Sequence, residues 1–198
     1  MLQTSGKFTQ ARKMIYNKPL KGMLKIRKDL SNLNPSINTL LHVYDHTIQP
    51  IAIYGGELWG LANFTEKSKG SHLYDIYKDW EFEKINIKFY KYILGVNKRT
   101  TNLAVLAEHG KFPAYISVVC SIFMYWYSVQ SNPTSLLRSA YEEYKELNKK
   151  YGISWYKSIV YLAEKLKIDL EKIKNFSRDK LKSNLKDCLK NNLYKCLA

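Results

Sequence analysis

An all-α protein, an irregular multi-helix array with one central apolar helix, is what this sequence predicts from three observations. Apolar residues recur at steps of three and four along nearly the whole chain, the period of helices with one face turned inward. Runs that alternate apolar and polar residues, as half-buried strands do, are missing. One segment, 114–129, is apolar on every side and belongs in a core. With 45% hydrophobic and 25% charged residues among 198, the chain can bury a real interior and does not have a disordered composition.

The leading helix carries Phe8, Ala11, Ile15, Pro19, Gly22, Ile26 and Leu30 as one stripe. Pro19 removes a backbone donor, so a kink or a split is expected there. Ser31 to Pro35 is a break, with Asn34 as the expected N-cap and Pro35 at the first helical position. Ile37, Leu40, Leu41, Tyr44 and Ile48 form the next face, which Pro50 should interrupt. His42 and His46 lie four apart beside Asp45, the spacing of helical metal sites. With no Glu after the first His and no third ligand at a fixed offset, ordinary histidines are expected.

The stretch from Pro50 to Gly60 concentrates special residues: Tyr54, Gly55, Gly56, Glu57, Trp59 and Gly60. Its glycines permit a sharp turn or close backbone approach, and Glu57, a carboxylate among apolar residues, calls for a hydrogen-bonding or cationic partner. Asn63 to Ser71 reads as a loop. Leu73 to Ile93 reads as one long helix closed by Gly95, with Lys84, Lys88 and Lys91 as a basic flank. Thr100 and Thr101 precede a short helix from Leu103 to Glu108, stopped by Gly110, and Pro113 opens the next.

Ala114 to Val129 is too short and too rich in serine for a membrane span of about 20 apolar residues. A core helix is expected, with a membrane-associated protein anchored by this segment as the alternative. Asn132-Pro133 starts a helix with Leu136, Leu137, Ala140, Tyr144 and Leu147 on its apolar side, and Tyr151-Gly152 ends it. Ser154 then caps a helix through Trp155, Ile159, Leu162 and Leu166, before a basic tail carrying Leu170, Ile173, Leu181, Leu185, Leu189 and Leu193.

Charge is the strongest global signal, with 32 Lys and Arg against 17 Asp and Glu, a net +15. That excess favours a polyanionic partner, nucleic acid before membrane lipid. Eight basic residues (Lys7, Arg12, Lys13, Lys18, Lys21, Lys25, Arg27 and Lys28) precede the first acid of that region, Asp29. Phosphate contact is the functional reading of this helix, against a merely solvated face. Cys120, Cys188 and Cys196 form neither a paired framework nor a C-x-x-C, so a reducing compartment is expected. The N-terminus does not read as a secretory signal, and an intracellular protein, cytoplasmic or nuclear, follows. There is no adjacent Asp-Asp pair for shared divalent ions, no G-x-x-x-x-G-K-[ST] loop and no nucleophile elbow. Catalytic residues, metal and cofactor are therefore not expected.

The order Pro50...Tyr54-Gly55-x-Glu57-x-Trp59, Phe89...Ile93-Leu94-Gly95-Val96, Thr101-Asn102-x-Ala104-Val105-x-x-Glu108-x-Gly110-x-x-Pro113 and Trp126 resembles the segment downstream of the palm in reverse transcriptases of non-LTR retrotransposons. Upstream, Gly6-x-Phe8...Ala11...Lys18...Leu24 resembles their thumb helix, and Gly152-Ile153-Ser154-Trp155 their C-terminal helices. The chain departs from the family pattern at Pro19 and Gly22 and in lacking a basic residue after Trp126. The resemblance implies a thumb-like basic region at 1–60 and a downstream helical region at 61–198 of an RNA-directed DNA polymerase encoded by a transposable element, without its palm and fingers. It implies a primer-template duplex of RNA or DNA as partner, held by its backbone through Arg12, Lys13, Lys18, Lys21, Lys25, Arg27 and Lys28, and the absent palm and fingers as a second partner. The polymerase aspartates have no counterpart, so no catalysis is implied. Tyr54, Gly55, Glu57, Trp59, Gly95, Glu108, Gly110 and Pro113 carry the structural part of the motif.

Overall fold

Proline, glycine and bulky aromatic residues set where the helices of this chain start, stop and thicken. The computed structural model describes residues 9–30, 32–61, 71–132, 134–151 and 155–197, apart from the side chains of 9–15, 144, 147–151, 196 and 197. The loop expected from Asn63, the positions Gly6, Phe8, Pro133, Gly152, Ile153 and Ser154, and the side chains of Arg12 and Lys13 lie outside the described residues. Within them every regular element is helical: α1 (Thr9–Leu30), α2 (Ile37–Val43), a π-helical turn (Tyr44–Ile48), α3 (Gln49–Ile53), α4 (Gly56–Trp59), α5 (Leu73–Tyr77), α6 (Glu81–Leu94), α7 (Asn102–Glu108), α8 (Tyr115–Ser131), α9 (Leu136–Tyr151), α10 (Trp155–Leu166), α11 (Leu170–Ile173) and α12 (Arg178–Leu197). Two units divide the chain, Met1–Tyr54 with Tyr77–Tyr115, and Gly55–Ile76 with Ile116–Ala198.

In the first unit α1 does not split at Pro19, whose ring is buried on the packed face of the helix beside Met23. Packing of that face against α3 and α6 overrides the intrinsic cost of an internal proline, about 3 kcal/mol. Gly22 has a physical reason, since a Cβ there would stand 2.7 Å from Cδ1 of Ile48 in the π turn. Asn34 is not the N-cap: it takes a left-handed turn at φ 45, and the Ser36 hydroxyl accepts the Thr39 N–H at 3.2 Å. Pro50 does not end the helical run either. The ladder widens ahead of it, Gln49 N–H donating to the Tyr44 carbonyl, and α3 continues beyond.

The single helix expected from Leu73 to Ile93 is broken at 78–80, where Trp80 is extended (φ −72, ψ 152). A continuous helix would set Phe82 on the far side from Trp80. The break brings their rings to 5.8 Å, with Tyr77 4.9 Å from Trp80 and stacked on Tyr115 at 5.3 Å. Met23, Tyr44, Ile48, Ile85, Phe89, Tyr90, Val105 and Leu106 make the core of this unit, with Tyr44 stacked on Phe89 at 4.1 Å.

In the second unit α8 buries Ile116, Val118, Val119, Ile122, Phe123, Trp126 and Val129. The Gly56-x-x-x-Gly60 spacing brings α4 onto it, a Cβ at Gly60 meeting Val118 Cγ1 at 2.6 Å and Ile122 Cδ1 at 3.0 Å. On α12, Leu181, Leu185, Leu189 and Leu193 recur every fourth residue and are all buried. Leu136 and Leu137, expected on the apolar side of α9, are instead 85% and 55% exposed. α9 meets α10 further along, where Tyr141 lies edge-on to Tyr156 at 5.7 Å, so its first turn is left uncovered. No helix among the described residues is long and apolar enough to cross a membrane.

Candidate nucleic-acid interface

Burial of one face of α6 decides where its charges go. Phe82, Ile85, Phe89 and Tyr90 point into the first unit's core, so Lys84, Lys88 and Lys91, at steps of four and three, line the other side. Gly95 closes the helix at φ 64, with Val96 N–H donating to the Lys91 carbonyl at 3.1 Å. This turn sends the chain back along the lysine side, and Lys91 Nζ donates to the Lys98 carbonyl at 2.8 Å. From α1, the Arg27 guanidinium lies over the Tyr92 ring, 3.9 Å from its centroid.

The result is a groove of about 580 Å³ lined by Arg27, Lys78, Lys84, Lys88, Lys91 and Lys98, with Ile87, Tyr92, Gly95, Val96 and Asn102 completing the wall. Among the described residues no carboxylate lines the groove. Like charges held around one concavity repel one another, and an anion placed there would relieve that repulsion.

The cations expected on α1 are divided by the structure. Lys18, Lys21, Lys25 and Lys28 are exposed and follow one another at steps of three and four, so they form a stripe on the side of α1 away from buried Pro19 and Met23. Arg27 is half-buried, off that stripe, and joins the groove instead. The flank of α6 was visible in the spacing of its lysines, whereas the addition of Lys78 and Lys98 depends on turns that no periodicity announces.

The motif residues fall in both units. Tyr54, Gly95, Glu108, Gly110 and Pro113 belong to the first, Gly55, Glu57 and Trp59 to the second. Gly55 and Gly110 take φ 69 and φ 60, a conformation open to glycine. Trp59 is buried, Pro113 is buried, and Tyr54 and Glu108 are exposed. Glu57 is only half-buried, and its main-chain carbonyl accepts the indole N–H of Trp155 at 2.9 Å.

Protein-family models, curated proteins and solved structures offer no match to this chain. Its chemistry is therefore read from its own side chains. The enclosed carboxylate is Glu83, not Glu57. Glu83 is 3% exposed on the inner side of α6, and its Oε1 accepts the Tyr115 N–H at 2.5 Å. Burial pushes its carboxyl up to about 7, against the opposing pull of the Tyr115 and Ala114 backbone N–H groups. Helical spacing carried the signal, since Glu83, Asn86 and Tyr90 share one face at steps of three and four. Asn86 is likewise buried, and its side-chain oxygen accepts the Tyr44 hydroxyl. His46 Nδ1 lies 2.8 Å from the His42 carbonyl, and among the described residues no three His, Cys, Asp or Glu side chains gather as metal ligands.

Proposed function

We propose that this protein binds the sugar-phosphate backbone of RNA or DNA through the cations of its first unit, without itself catalysing synthesis. One observation carries the reading: six basic side chains line a single groove, and among the described residues no carboxylate lines it. The lysine stripe of α1 adds a second positive surface suited to the outside of a duplex. Within the resemblance to non-LTR reverse transcriptases, the chain is the post-palm region of such an enzyme, working inside the cell on a primer-template duplex beside a palm and fingers. The net charge of +15 supports a polyanionic partner. The membrane reading has less support, because Ala114, Ile116, Val118, Val119, Ile122, Phe123, Trp126 and Val129 of the 114–129 segment are buried inside the fold.

Affinity for a duplex measured against salt tests this. Each phosphate neutralised contributes a slope of about −0.9 in log affinity against log salt, so contacts by several lysines predict a steep decline. A duplex affinity that stays flat over the same salt range contradicts the proposal.

A further inference from the structure

The groove and the stripe differ in kind. A duplex presents its phosphates outward and keeps its base faces stacked, so a projecting row of lysines suffices to hold it. A concave pocket with exposed apolar residues in its wall offers more than phosphate requires. Tyr92 and Val96 are 37% and 38% exposed there, surrounded by cations. Around 580 Å³ lies within the range of small-ligand pockets, about 300–1,000 Å³, far below what a duplex would occupy.

We propose that the groove holds an unpaired stretch of nucleic-acid strand, with a base against Tyr92, Val96 and the Arg27 plane and the flanking phosphates on Lys84, Lys88 and Lys98. This rests on the reading that the first unit grips nucleic acid. The Arg27 guanidinium carbon already lies over an aromatic ring, 3.9 Å from its centroid. A guanidinium held this way is a ready surface for a base, and bases freed from a duplex stack on arginine and tyrosine planes. Asn102, at the wall, supplies both a donor and an acceptor for a base edge. The α1 stripe is left for paired segments, so one unit serves both sides of a junction between single and double strand.

Fluorescence anisotropy with the full chain tests this, using labelled oligothymidylate and a labelled blunt hairpin at one salt concentration. Tyr92→Leu weakens oligothymidylate binding about tenfold, the scale of one lost base stack. Tyr92→Phe restores it, and both leave the hairpin affinity unchanged. Val96→Glu, at an exposed position that tolerates a polar side chain, selectively weakens the oligothymidylate in the same way. If both nucleic acids bind but these variants affect them equally or not at all, the assignment of the groove to unpaired strand is overturned while backbone binding stands. If neither nucleic acid binds the unaltered protein, both readings fall.

Discussion

Glu83 shows how one side chain ties this fold to pH. Its carboxyl sits near 7 in the folded protein against an ordinary value of 4.5, because burial disfavours the charged form. The folded state therefore holds this proton more tightly than the unfolded chain does. Its stabilising contribution is complete below pH 4.5 and is lost as the pH rises through 7, a span of roughly 3 kcal/mol at 1.36 kcal/mol per unit. Glu83→Gln, which keeps an oxygen for the Tyr115 N–H, removes that slope. Denaturant titrations are expected to show the two proteins diverging between pH 4.5 and 7 and keeping a constant offset above that, the variant being the more stable there. Parallel curves would show that the carboxyl is not held neutral.

At the scale of elements, close approach explains positions that helix propensity does not. Gly60 in α4's closing turn has no room for a methyl: Val118 Cγ1 would lie 2.6 Å from its Cβ, and the Gly56 carbonyl is closer still. Gly60→Ala is expected to destabilise the second unit by about 1–3 kcal/mol, the usual scale of overpacking, measured as a lower thermal midpoint. The reciprocal change Val118→Ala in the same chain should recover part of that loss, and no recovery would place the strain elsewhere. Much of this element structure was legible beforehand. Gly95 and Gly110 ended their helices, and the four-residue leucine spacing of α12 faced inward. What was not legible came from competition between local and tertiary preferences. Pro19 and Pro50 read as breakers, yet packing kept α1 whole and a π turn absorbed Pro50. Trp80 read as a helix residue, yet aromatic packing at Tyr77 and Phe82 took it out of the helix.

For the whole molecule, the sequence announced an all-helical, strongly basic chain, and the described residues are all-helical where they are regular. It did not announce that each unit is assembled from two separated stretches, because nothing in a local pattern says which distant helices share a core. The candidate site suffered from the same gap. Arg27 was singled out with its neighbours on α1, and only the folded first unit shows it leaving them to join lysines of α6. A basic tail on α12 remains as a competing source of affinity, with Lys182, Lys186 and Lys195 all exposed. On the proposed reading, grip on an unpaired strand is located in the groove rather than spread over the total charge. Its most direct measurement compares the duplex and single-strand affinities of Lys84→Glu/Lys88→Glu/Lys91→Glu with those of Lys182→Glu/Lys186→Glu/Lys195→Glu, two proteins of equal net charge. The groove variant is predicted to lose single-strand binding, with a shallower salt dependence for that strand and a smaller loss on the duplex that the α1 stripe holds, while the tail variant keeps most of its single-strand affinity; equal single-strand losses in the two would contradict it.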